Sequence, residues 1–190
     1  NSYGAPVLQP WSKLAATLSK DSTTACVLNK SGPLDWPAGA EVAFGSTEWD
    51  SPNGHTKSRT LTEAAVWDST DLCYRLTFDE AVNGHDRFAG DVDIGNGKTV
   101  SLRGVVARLD RTVIIESYDM SATYNYGGHI EIFDETLDDL AQTTLVGKAE
   151  FRYTQFHNMG KGALSAAVKI TYESNFDPPP VLIFDGCSFH

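Results

Sequence analysis

The chain has 190 residues, 41% of them hydrophobic and 21% charged, which is the composition of a folded globular protein and excludes a disordered one. Its 25 acids outweigh 15 bases for a net charge of −10, which argues against nucleic acid as a partner, because phosphate binding needs a basic surface. No apolar run reaches the ~18 residues that span a bilayer, and Asn1 to Pro10 lacks a basic segment followed by an apolar one, so neither membrane insertion by this segment nor a signal peptide is expected.

In chain order, Trp11–Leu18 reads as one or two amphipathic helical turns. Strands follow at Ala25–Leu28, Glu41–Ser46, Ser58–Val66, Cys73–Phe78, Val105–Leu109, Thr112–Glu116 and His129–Phe133. A second short helix is expected over Glu135–Gln142, with Leu137, Leu140 and Ala141 on one side. Strands resume at Gly147–Phe156, Ala167–Tyr172 and Val181–Phe184. All the strand segments are rich in Val, Ile, Thr, Phe and Tyr and are bounded by Gly, Pro, Asn and Asp. With no sustained 3.6-residue period, a doubly wound α/β fold is excluded, leaving a sandwich, a barrel or a parallel β-helix. Asn53-Gly54, Asn83-Gly84, Asn96-Gly97 and Asp185-Gly186 suit hairpin turns, and the last suits equally a corner between strands of different sheets.

Three cysteines are present, with no CxxC pair, so a zinc site of ordinary spacing is not expected. Cys26 and Cys73 each sit within an expected strand. A disulfide and two buried free thiols are both open for them. Cys187 reads as a buried core thiol. Asn29-Lys30-Ser31 is an N-glycosylation sequon in a turn-like segment, with Asn29 the acceptor.

Several segments in order resemble the extracellular β-helical region of the fibrocystin and fibrocystin-L family, which is related to the cell-migration-inducing hyaluronan-binding proteins. They begin with Pro10-Trp11-Ser12-Lys13-Leu14 and Leu34-Asp35-Trp36-Pro37-Ala38-Gly39-Ala40-Glu41-Val42, where Ala40 stands in place of the family's usual Asp. They continue through Ala107–Ile115, Gly127-Gly128-His129-Ile130, Phe156-His157-Asn158-Met159-Gly160 and Gly186-Cys187-Ser188-Phe189-His190. The resemblance implies an all-β chain folded as a right-handed parallel β-helix, a solenoid with one or two short helices. It also implies that residues 1–190 form a single β-helix domain, a fragment of a longer extracellular or cell-surface protein. Hyaluronan-degrading relatives carry a Pro-Ile-His-Phe-His segment, where this chain reads Ala166-Ala167-Val168-Lys169-Ile170-Thr171-Tyr172. The likeness therefore leans to the fibrocystin branch, associated with cilia and cell-surface coats and without an established catalytic role.

The remaining site readings come from residue types. Trp49, Trp67, Tyr124 and Tyr126 lie in or beside loops, where their rings suit stacking on sugar faces or filling loop cores. His129 and His157, with Glu131 or Asp134 nearby, form the only metal-pair reading, and ordinary turn-capping imidazoles are favoured over it. Asp134-Glu135 and Asp138-Asp139 leave weak calcium binding open, and otherwise form a solvated acidic face. Asp91 and Asp93 alternate across Val92 and are the locally paired carboxylates a glycosidase would need. No catalytic, metal or cofactor residue is assigned. The expected function is a non-enzymatic extracellular structural or interaction module that contacts other protein domains or glycans. The alternative is a carbohydrate-active domain that binds or degrades hyaluronan, and the acidic net charge disfavours simple capture of that polyanion.

Overall fold

The structure is a computed structural model and describes residues 2–30, 32–47, 56–117, 127–136, 143–160, 166–171 and 181–189. Every described regular element is a strand: β1 (Ser2–Tyr3), β2 (Trp11–Lys13), β3 (Thr24–Val27), β4 (Glu41–Phe44), β5 (Lys57–Thr60), β6 (Val66–Asp68), β7 (Cys73–Thr77), β8 (Ala89–Asp93), β9 (Thr99–Arg103) and β10 (Val105–Arg108). Then come β11 (Val113–Glu116), β12 (Ile130–Phe133), β13 (Glu135–Thr136), β14 (Thr144–Leu145), β15 (Lys148–Arg152), β16 (Thr154–His157), β17 (Val168–Thr171), β18 (Val181–Asp185) and β19 (Ser188–Phe189). The chain divides into two compact units, Val7–Asp110 and Asn1–Pro6 with Arg111–His190.

In the Val7–Asp110 unit every strand pairing among the described residues is antiparallel. The sheets run β2-β10-β4-β5, β3-β7-β6 and β8-β9. Trp36, Phe44, Val27, Leu76, Leu61 and Val106 are fully buried together at its centre. The indole of Trp36 donates to the carbonyl of Gln9 at 2.7 Å, so its one polar atom enters the core satisfied. Tight turns place the strands. Between β8 and β9, Asn96 and Gly97 both take positive φ (55° and 68°), and Lys98 N donates to Gly95 O at 3.1 Å. This is the type I′ hairpin turn, whose twist matches that of the paired strands.

The other unit pairs its longer strands in parallel. Its sheets are β1-β15-β18, β11-β16-β19 and β12-β17, with a small antiparallel pair β13-β14. In-register pairing sets like residues on like. Phe151 stands opposite Phe184 with rings stacked 5.4 Å apart, and Phe156 opposite Phe189 at 4.6 Å. The core cluster here is smaller, built on Ile132, Ala149, Phe151 and Phe156.

These sheets correct the expectation of a right-handed parallel β-helix. The sheets hold two to four strands each and mix antiparallel with parallel pairing, and none forms a solenoid. Part of the reason is local: Asn96-Gly97 turns β8 back on β9 and residues 69–72 turn β6 back on β7, while β2-β10, β4-β10 and β3-β7 pair antiparallel across long sequence separations, an arrangement a solenoid coil does not contain. The expected short helices are also corrected. Trp11–Lys13 is strand β2, with Ser12 buried and bonded to Leu28 O at 2.6 Å while Trp11 faces out. Glu135–Thr136 is strand β13, and residues 137–142 lie outside the described residues.

Two stability outcomes follow. Gly186 has φ +60°, and a Cβ there would sit 2.6 Å from the Tyr153 ring. Gly186→Ala is expected to lower stability by about 1–3 kcal/mol, read as a reduced urea midpoint. An unchanged midpoint refutes the tight corner. The disulfide between Cys26 and Cys73 closes a loop with a sequence separation of 47. A Cys26→Ala, Cys73→Ala double variant should lose about 2–4 kcal/mol, measured by urea unfolding against the oxidised parent.

Candidate functional site

The β3-β7-β6 sheet sorts its side chains by the two-residue period of a strand. Val27, Tyr74 and Trp67 stand opposite one another, as do Ala25 and Leu76, and this face turns to the core. Cys26, Arg75 and Val66 occupy the opposite face, with Cys73 opposite Asp68. Cys26 and Cys73 are disulfide-bonded, their Cα atoms 5.6 Å apart, which ties β3 to β7 on that outer face.

Above the bridge lies a cleft of about 270 Å³, bounded by residues 16–19, β3 and the start of β7. Thr17, Ser19, Ser22 and Thr24 supply hydroxyls to its lining, and Asp71 and Arg75 supply opposite charges. Arg75 Nη2 donates to Asp68 Oδ2 and, at 3.1 Å, to Asp71 Oδ2. Asp68 is fixed in turn by the turn that follows it, its Oδ1 accepting from Thr70 N at 2.8 Å and Asp71 N at 3.3 Å. These backbone donors, and then Arg75, hold the Asp68 carboxyl below the usual aspartate range. The cleft therefore presents polar groups beside an apolar part lined by Ala16, Leu18, Ala25 and Cys26. That chemistry suits hydrogen bonding to a polyol, a saccharide or a polar peptide backbone.

The sequence-predicted residues are scattered. Trp67 is 42% exposed at the sheet edge and meets Tyr74 edge-on at 5.2 Å, on the face of the sheet opposite Arg75. Trp49, Tyr124 and Tyr126 lie outside the described residues, as do Asp138 and Asp139. Asn29 is exposed, its Oδ1 accepting from Gly32 N at 3.2 Å, while Ser31 of the sequon is outside the described residues. His157 sits opposite Glu116 on β11-β16, Nδ1 to Oε2 3.4 Å. Glu131 is bonded to Lys169 Nζ at 2.8 Å and Thr171 Oγ1 at 2.9 Å, which lower its pKa. Asp134 accepts from Gly147 N at 2.8 Å, and Glu135 is exposed. Among the described residues, no group of three or more His, Cys, Asp or Glu is placed to hold a metal ion. Asp91 and Asp93 project from β8 opposite Ser101 and Thr99. Cys187 is a half-buried free thiol, its Sγ 3.4 Å from Phe151 O.

Sequence reasoning missed the Asp68, Asp71 and Arg75 group. Its signal was present: Asp68-Ser69-Thr70-Asp71 is a polar stretch separated by Leu72 alone from a strand whose third residue is Arg75. No family model matches the chain, and no curated protein matches it.

The depressed Asp68 pKa carries a pH consequence. Its contribution to stability is present above the ordinary aspartate value and is lost as pH falls through its lower native value. Asp68→Asn is expected to flatten the acid limb of the stability profile below about pH 4 and leave the neutral side parallel to wild type. Urea titrations at stepped pH measure this, and an unaltered acid limb refutes it.

Proposed function

We propose that the chain is a non-enzymatic structural and interaction module of a cell-surface or ciliary-surface protein. In this reading the cleft at Arg75 makes hydrogen-bonded contacts with glycans or with other extracellular protein domains. The observation that carries it is the cleft itself, lined by Thr17, Ser19, Ser22 and Thr24, bordered by Cys26 of the disulfide, and braced by an Arg between two carboxylates. The bridge is compatible with an oxidising compartment. No described helix is long and apolar enough to cross a membrane. The ciliary setting rests only on the ordered segments that resemble the fibrocystin family.

The electrostatics support contact rather than turnover. A glycosidase needs one carboxyl kept protonated by a raised pKa. Asp68 is shifted the other way, and both it and Asp71 are engaged by Arg75. Asp68, held ionised in this way, braces Arg75 instead of serving as a proton donor.

The test is a glycan array together with immobilised extracellular-matrix polysaccharides, run with wild type and Arg75→Ala. Binding is expected, and the variant should weaken it by about tenfold, as for the loss of a charge-assisted hydrogen bond. Binding indifferent to Arg75→Ala moves the contact elsewhere. Hyaluronan chains shortened by wild type but not by Asp71→Asn would overturn the reading in favour of a carbohydrate-active domain.

A further inference from the structure

Strands β8 and β9 pair only with each other among the described residues, from Ala89↔Arg103 at the base to Asp93↔Thr99 near the tip. The base is anchored. Ala89 N donates to Thr17 Oγ1 at 3.1 Å, and Arg103 Nη1 donates to Ala15 O at 2.7 Å. Beyond it, every residue from Asp91 to Leu102 is exposed, so the ribbon projects. Its two faces differ. Asp91, Asp93, Thr99, Ser101 and Arg103 share one, while Gly90, Val92, Val100 and Leu102 share the other. The Phe88 ring lies over Gly90, where a Cβ would come within 3.0 Å of it, and Ile94 continues the apolar alternation. Phe88, Val92, Ile94, Val100 and Leu102 are 37%, 37%, 60%, 48% and 44% exposed.

A two-stranded ribbon standing alone in water is marginal, and a contiguous bare apolar face marks a contact surface. We propose that this face is a self-association surface, through which two copies of the chain pack ribbon against ribbon about a two-fold axis. Two observations select a second copy. The five side chains expose on the order of 400 Å² of apolar surface, close to the apolar share of the ~800 Å² each partner gives to a standard interface. Within β8 and β9 this face carries no charge, whereas the whole chain carries −10. Identical acidic chains repel over most of their surface, and a neutral self-complementary patch is where they meet without opposed like charges. A lipid surface fits less well, because the open edges of the ribbon would carry unsatisfied backbone groups into hydrocarbon. The association is independent of the Arg75 cleft.

Sedimentation velocity of the full chain over its soluble concentration range tests this. Wild type is expected to shift from monomer to dimer with concentration. Val100→Asp should remain monomeric, and Asp91→Asn, on the opposite face, should still dimerise. If Val100→Asp lowers the thermal midpoint, Val100→Cys replaces it, and a dimer cross-linked under oxidation supports the face-to-face arrangement. A wild type that is monomeric throughout overturns the proposal. So does a dimer unaffected by Val100→Asp, or a monomer that floats with neutral phosphatidylcholine vesicles and loses this through Val100→Asp.

Discussion

The pairing of Thr24–Val27 with Cys73–Thr77 is the constraint on which the Val7–Asp110 unit depends. Its register decides which residues are core and which are site. Because strand side chains alternate, Val27 and Leu76 enter the interior together, and Cys26 and Arg75 are turned out together. A slip by one residue would bury the guanidinium and expose the leucine. The disulfide forbids that slip, since it joins the two strands on the outer face. Core and cleft are therefore two outcomes of one register, and the bridge guards both.

The parallel unit solves the same problem without a covalent tie. There the register is read by rings: Phe151 on Phe184 and Phe156 on Phe189, with edge contacts between Phe151 and Phe156 and between Phe184 and Phe189. Aromatic pairs add specificity beyond the area they bury. On the outer side, Glu150 accepts from Tyr3 at 2.8 Å and from Arg152 at 2.7 Å, crossing from β15 to β1. Polar contacts on one face of β15 and ring stacks on the other, with Phe151 and Phe156 buried beneath the exposed Phe184 and Phe189, fix the same alignment twice.

Strand positions were legible because β-branched and aromatic residues cluster where the backbone is extended, as at Val105–Arg108 and Val113–Glu116. The architecture was not, because a turn dipeptide reports a reversal without reporting which strand comes next. Asn96-Gly97 closes a hairpin, while Asp185-Gly186 joins strands of two different sheets. The missed ribbon strands show the same limit. Ala89–Asp93 contains a glycine and two aspartates, and only pairing with Thr99–Arg103 makes it a strand. For the site, the exposed Trp67 was legible as an aromatic near a loop, but the face it occupies is fixed by its partner Tyr74. The Arg75 cleft needed three-dimensional knowledge of a different kind, since residues 16–19 and 71–75 meet only after folding.

The bridge has a mechanical side. Tension transmitted along the backbone bypasses whatever lies between Cys26 and Cys73, because force passes through the sulfur link. With a sequence separation of 47, the shielded segment withholds about 160 Å of extensible contour. Strands β4, β5 and β6 lie inside that loop and β2 and β10 outside it. Under load, the outer strands would peel first, and the enclosed loop would keep its length hidden. In a tethered, stretched protein such a segment acts as an inextensible link.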